Sequence, residues 1–158
     1  MTQEFDGQSR NSARLAAVQA LYQMELAGEK SKLVVHEFND HWFKSSENLE
    51  NTDSEYFELI VLGVVAEQTA IDNAISEKLS EKWKLERLDT TLRAIMRCAA
   101  YEIMRCFDVP GTVIIDQYVS IAHDFYESKE PKFVNAALDK LARQIRTAEF
   151  GLVHAVDE

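Results

Sequence analysis

Two groups of side chains in this sequence have types and spacings that could do chemistry. The first is a basic island: residues 128–147 hold Lys129, Lys132, Lys140, Arg143 and Arg146 against Glu130 and Asp139, whereas residues 36–58 hold seven acids and one base, Lys44. Cations gathered on one segment of an acidic chain suit local contact with phosphate. The second group is what an enzyme would have to use. The four histidines, His36, His41, His123 and His154, stand in separate segments, and there is no HExxH, no CxxC and no Asp-Gly loop suited to a metal. No GxGxxG and no Walker lysine loop occurs, so nucleotide hydrolysis and hydride transfer have no cradle. Glu86, Asp89 and Glu102 lie on or near one helical pattern, where charges at helical spacing form solvated faces. The expectation is a protein with no catalytic centre, no metal and no cofactor.

Charge limits the partners further. With 17 Lys plus Arg against 27 Asp plus Glu the net charge is −10, so any phosphate site must be local or shared with a basic partner. Cys98 and Cys106 are eight residues apart in one helical pattern, about 12 Å at a rise of 1.5 Å per residue, which is beyond disulfide reach. They read as small buried hydrophobes in a reducing compartment. The opening MTQEFDGQSRNSAR has no basic-then-apolar signal pattern, and apolar runs such as LIVLGVVA are far shorter than a membrane span. A cytoplasmic location with no membrane contact is expected.

The elements that must position these residues are helices. Five Gly and two Pro in 158 residues leave too few turns for an all-β chain. Residues 1–8 read as a disordered arm, 9–148 as one helical domain and 149–158 as a short flexible tail. The first helix opens at Ser9, buries Leu15, Val18, Leu21, Tyr22 and Leu26, and is capped by Gly28. A second covers residues 32–43 with Val34, Val35, Phe38 and Trp42 inside. Thr52 with Glu55 forms a capping box for a long third helix carrying Phe57, Ile60, Val61, Val64, Ile71 and Ile75 to about Leu79. SEKWKLERL, pinned by Trp83 and Leu85, is the expected boundary between two halves. A fourth helix buries Leu92, Ile95, Met96, Ala99, Ala100, Ile103, Met104 and Phe107. Pro110 and Gly111 stop it, Thr112 caps an almost wholly apolar helix, and Pro131 opens a last one that buries Phe133, Val134, Ala137, Leu138, Leu141, Ala142 and Ile145. Arg93, Arg97, Tyr101 and Arg105 form a stripe that is either salt-bridged between the two halves, the favoured reading, or exposed.

Several of these segments have a familiar wording. ARLAAVQALYQMEL, the WKLERL connector running into LRAIMRCAAYEI, the Val109-Pro110 break and KFVNAALDK together resemble the NusB family of bacterial transcription antitermination factors. The similarity runs from about Ser12 to Ile145. It implies an all-α fold of about six to seven helices, arranged as a single domain of two packed three-helix units, with no catalytic activity. It also implies a function: binding the boxA element of ribosomal-RNA leader transcripts together with NusE, which is ribosomal protein S ten, as part of the RNA polymerase antitermination complex.

Carried onto this chain, the resemblance marks Arg10, Arg14, Tyr22, Lys129, Lys132, Phe133 and Asn135 as RNA-binding candidates. Single-stranded RNA is held by Arg and Lys on phosphate and by bases stacked on aromatic rings. Tyr22 and Phe133 also lie on apolar faces, where core packing is the competing role, and Asn135 could read a base edge or cap a turn. The arm is poorer in bases than is common in the family, and Lys129 partly replaces its charge. An acidic surface around Glu81, Glu86 and Asp89 is expected to receive the basic partner. The depleted arm leaves a second reading, a protein-only adaptor without RNA recognition. Both a monomer and a homodimer fit the sequence.

Overall fold

The computed structural model describes residues 3–44, 52–79 and 83–151, and among these there are seven α-helices and no strand. They are α1 (Gln3–Ala27), α2 (Ser31–Glu37, followed by a π-helical turn Phe38–Trp42), α3 (Ser54–Ala66), α4 (Gln68–Ser76), α5 (Thr90–Arg105), α6 (Gly111–Phe125) and α7 (Glu130–Ile145), with a 3₁₀ turn at Leu85–Arg87. The all-α expectation holds. The chain forms two compact units, Met1–Gln68 and Thr69–Glu158, each with its own core. The division falls at the start of α4 and not in the expected connector, where Leu85 and Leu88 are buried. No single helix among the described residues is long and apolar enough to cross a membrane.

In the first unit α1 and α2 pack on α3. The buried face of α1 differs from the expected one. Ala13, Ala16, Ala17 and Ala20 are fully buried, while Tyr22 and Leu26 are 41% and 62% exposed. Alanines carry no side chain long enough to hold helices apart, so α3 approaches along the alanine face and the larger residues are left at its margin. Phe57 then stacks on Phe38 at 5.3 Å and meets Phe43 edge-on at 5.0 Å. α1 begins at Gln3, six residues before the expected start, because a nucleated helix propagates cheaply where no proline stops it. Gly28, at φ +69°, ends it as expected, with its N–H donating to the Met24 carbonyl at 2.8 Å.

The cap of α3 is Asp53, whose carboxylate accepts from the Tyr56 N–H at 3.0 Å; Thr52 lies just outside, its hydroxyl buried without a hydrogen-bond partner among the described residues. The long third helix is in fact two, broken at Glu67. The apolar stripe has a gap at the same place: Phe57, Ile60, Val61 and Val64 call for an apolar residue at 67 or 68, and Glu67 and Gln68 stand there. The segment 45–51 of the expected loop lies outside the described residues.

In the second unit α5, α6 and α7 pack mutually, with Ile95, Cys98, Ala99, Ile103, Ile114, Tyr118 and Leu138 fully buried at their centre. Asp72 of α4 and Arg97 of α5 make a two-pronged ion pair at 2.8 and 2.9 Å, so the arginine stripe bridges the expected connector but stays inside one unit. Glu102, expected on a solvated face, is 0% exposed and accepts from the Tyr118 hydroxyl at 2.5 Å. Burial, reinforced by the Glu102 charge, pushes the Cys98 thiol well above its ordinary range, which leaves it a protonated hydrophobe as the sequence suggested.

The C-terminal end of α5 is held by one side chain. Arg146, 3% exposed, donates from Nε to Ile103 O at 3.0 Å, from Nη2 to Glu102 O at 3.0 Å and Cys106 O at 2.7 Å, and from Nη1 to Val109 O and to the Glu149 carboxylate at 2.9 Å. Its guanidinium also lies 4.8 Å from the Phe107 ring, which is exposed and not part of the core as expected. Glu149 uses its other oxygen to accept from the Gly111 N–H at 2.7 Å, so it caps α6, the role expected of Thr112. The Gly111 backbone lies so near that a Cβ there would sit 3.2 Å from Glu149 Oε1 and 3.3 Å from Arg146 Cδ. Residues 149–151 are therefore built into the fold, and 152–158 lie outside the described residues.

Removing Arg146 takes the donor from the Ile103 and Val109 carbonyls, leaves Glu102 O and Cys106 O with one backbone N–H each, and unbalances the Glu149 charge. Arg146→Ala is expected to lower stability by about 3–5 kcal/mol in urea unfolding. Arg146→Lys should recover less than half of that, since an ammonium lacks the planar fork. A loss below about 1 kcal/mol for the alanine variant would show that the clamp carries little of the stability.

Candidate nucleic-acid interface

The candidate residues fall into one group in each unit. In the first, Arg10 and Arg14 lie one helical turn apart on α1 and both gather on Tyr56 of α3. Their guanidinium carbons are 4.4 and 5.4 Å from its ring centroid. Asp53 lies beside them, 3.8 Å from Arg10 Nε, and its N–H donates to Ser9 O at 3.1 Å. Arg10 is half-buried and keeps an edge toward solvent. Arg14 is only 2% exposed and donates to Asn11 Oδ1 at 2.7 Å, so it is spent on internal contacts. Tyr22, two turns beyond Arg14 on α1, is 41% exposed, which favours a surface role over the core role left open for it. Tyr56 was missed in the sequence; its position three residues after the cap of α3 was the signal.

The second group is denser. Lys129, Lys132, Phe133 and Asn135 occupy the N-cap and first turns of α7, where Pro131 sets the opening and no side chain caps the free N–H groups. Lys129, Lys132 and Asn135 are exposed. Phe133 is half-buried and stacks on Trp83 with centroids 4.2 Å apart and planes 25° apart. Lys129, four residues before Phe133, places its Nζ 5.3 Å from the Trp83 centroid. Cations, an aromatic pair and the positive end of a helix thus converge on one turn, with Glu130 the only acid in it. Of the rest of the basic island, Lys140 is exposed further along α7, Arg143 pairs with Asp139 at 2.9 Å and lies on Phe150, and Arg146 is the buried clamp. The charge balance also favours this unit. Residues 1–68 hold twelve acids and five bases, and residues 69–158 hold fifteen acids and twelve bases.

Of the acidic candidates, Glu81 lies outside the described residues and Glu86 is exposed on the 3₁₀ turn. Asp89 has two structural tasks: it caps α5, accepting from Leu92 N at 3.0 Å, and accepts from the Tyr126 hydroxyl at 2.6 Å. Partial burial, then this bond to a carboxylate, pushes the Tyr126 phenol well above its ordinary value of 10. His36 pairs with Asp40 at 2.9 Å, and among the described residues no three His, Cys, Asp or Glu side chains gather as a metal site would need.

Comparison with known proteins places these features in context. The NusB family model matches residues 11–143. The transcription antitermination protein NusB of Maricaulis maris is 46% identical over 144 residues, covering 89% of this chain and 90% of that protein. Its counterpart in Caulobacter vibrioides is 46% identical over 142 residues, covering 88% and 95%. Among solved structures, T. maritima NusB superposes with a TM-score of 0.74 at 29% identity, covering 90% of this chain and 97% of that one. A complex of antitermination factors NusB and NusE with double-stranded RNA contains a chain of the same fold, with a TM-score of 0.71 at 22% identity, covering 90% and 99%.

Because the Tyr126 phenol's folded value exceeds its unfolded one, the stability it contributes is full below about pH 10 and is lost as pH rises past it. The difference in urea midpoint between the wild type and Tyr126→Phe should stay constant from about pH 7 to 9 and shrink above about 10. A difference that stays flat into the alkaline range would show that the bond to Asp89 does not hold the phenol protonated.

Proposed function

The chain belongs to the NusB family, and we propose that it is a transcription antitermination factor that binds the boxA RNA of ribosomal-RNA leader transcripts together with NusE. The observation that carries this reading is the first turn of α7. Lys129 and Lys132 are exposed beside the stacked Phe133 and Trp83, and Asn135 lies one turn along. That is the chemistry of a single-strand RNA contact: cations for phosphate, π-faces for bases and an amide for a base edge. In this reading Arg10 and Tyr22 add contacts on α1, while Arg14 acts indirectly by seating the Tyr56 cluster. The solved complex of NusB and NusE with double-stranded RNA supports RNA and NusE as the classes of partner. Glu81, Glu86 and Asp89 supply the acidic surface for the basic protein partner, Asp89 while holding Tyr126. The chain acts in the cytoplasm within the RNA polymerase antitermination complex, as a monomer or homodimer, and catalyses no reaction.

The protein-only adaptor keeps one specific support. Arg14 is buried and Arg10 lies against Asp53 and Tyr56, so these two candidate arginines offer phosphate little charge. RNA affinity of the chain alone is accordingly weak and salt-dependent.

Fluorescence anisotropy of a labelled boxA-type RNA, with and without NusE at several salt concentrations, tests the reading. Binding should be weak alone, tighten with NusE and fall with salt. Lys132→Glu and Lys129→Glu should each reduce the salt slope by about 0.7, the value for one phosphate contact on a single strand. No RNA signal despite a formed NusE complex would leave the adaptor.

A further inference from the structure

Pinning a connector would account for Trp83 if its ring were buried in the core, and it is not. Trp83 and Phe133 are both half-buried and lie outside the fully buried set, yet they stack nearly parallel at 4.2 Å, shorter than the usual range for aromatic pairs. That separation leaves no gap for a third ring between them, and Lys129 Nζ lies over the Trp83 ring, so a further ring stacks on Trp83 by displacing that ammonium toward a neighbouring phosphate. Lys129 holds its ammonium at this platform, within cation–π distance of Trp83, and Lys132 is exposed next to Phe133. Two lysine ammonium groups therefore border a preformed two-ring surface. A preformed stack lowers the ordering cost of the next stacked ring, because neither side chain has to be immobilised on binding.

We propose that Trp83 is a further nucleobase-contacting residue, completing with Phe133 a two-ring platform onto which single-stranded RNA adds a base while Lys129 and Lys132 take the flanking phosphates. The proposal rests on the reading that the first turn of α7 contacts RNA. It adds a residue on a different segment and a mode of contact, stacking at the end of the platform.

The chain contains two tryptophans, and Trp42 belongs to the separate aromatic cluster of the first unit. In a Trp42→Phe background Trp83 is therefore the only tryptophan reporter, and the platform itself is unaltered. A fluorescein-labelled single-stranded RNA oligonucleotide is titrated for anisotropy, and its unlabelled form for tryptophan emission, with and without the basic protein partner. Trp83 emission should be quenched along the same saturation curve as the anisotropy. The same sequence as a duplex, whose bases are already stacked on each other, should quench little. Trp83→Ala should weaken RNA binding by roughly 5- to 150-fold with an unchanged salt slope, the loss expected for one stacked base. Trp83→Phe should restore most of it. RNA that binds without changing Trp83 emission, together with wild-type affinity of Trp83→Ala, would overturn the platform and leave the lysine contacts standing. Equal quenching by the duplex would overturn base stacking. No RNA binding under any condition would overturn both the platform and the reading beneath it.

Discussion

The carbonyls at the end of α5 have acceptor capacity to spare even where a backbone N–H reaches them, as Cys106 N–H does at Glu102 O and Val109 N–H at Cys106 O, and Arg146 meets them from the far end of α7. Buried carbonyls need donors, and a guanidinium can serve several at once because its N–H groups fan out in a plane. Glu149 balances the charge and passes the constraint on to the first N–H of α6. One side chain thereby fixes the end of α5, the start of α6 and the end of α7. A helix of 16 residues is about 24 Å long and rigid, so pinning its C-terminus also sets where its opening turn points. The basic, aromatic turn of α7 owes its position to a contact at the opposite end of the same helix.

Charge is used sparingly around that frame. Four of the eight arginines in the described residues serve the fold: Arg97 holds Asp72, Arg93 donates to the Leu88 and Leu85 carbonyls, Arg14 is enclosed and Arg146 is the clamp. The exposed cations at the turn of α7 are lysines, whose flexible stems suit a mobile phosphate better than a fixed carbonyl. On a chain of net charge −10 this concentrates attraction for a polyanion at one place and repels it elsewhere. The same acidity suits a basic protein partner, so one charge distribution can serve both ligands of the proposed complex.

Much of this was legible in the sequence. The helical class, the Gly28 end of α1, the Pro131 start of α7 and the basic island holding Lys129 and Lys132 follow from periodicity, caps and composition, while the family wording, which covered nearly the whole chain, marked Phe133 and Asn135; α5 ends at Arg105, short of the expected stop at Pro110. The misses share a cause. An alanine face reads as neutral in a hydrophobicity pattern, yet it decides how closely α1 and α3 approach. Arg146 in a basic run reads as a surface cation, and only the tertiary fold shows that four backbone carbonyls surround it. Glu102 reads as solvated until Tyr118 is brought over it by α6, and Tyr56 and Trp83 acquire meaning only from the cations placed above them by other segments. Local signals specify elements; which polar group faces which is a long-range property.

The central claim is that the opening turn of α7 is the RNA-contacting face of the protein. Ultraviolet cross-linking of the full chain to single-stranded RNA in the presence of NusE, followed by mass-spectrometric mapping of the modified peptides, tests it most directly. The account predicts cross-links concentrated in peptides spanning residues 129–135 and at Trp83, with weaker ones near Arg10 and Tyr22. Cross-links confined to other segments, with residues 129–135 unmodified, would contradict it.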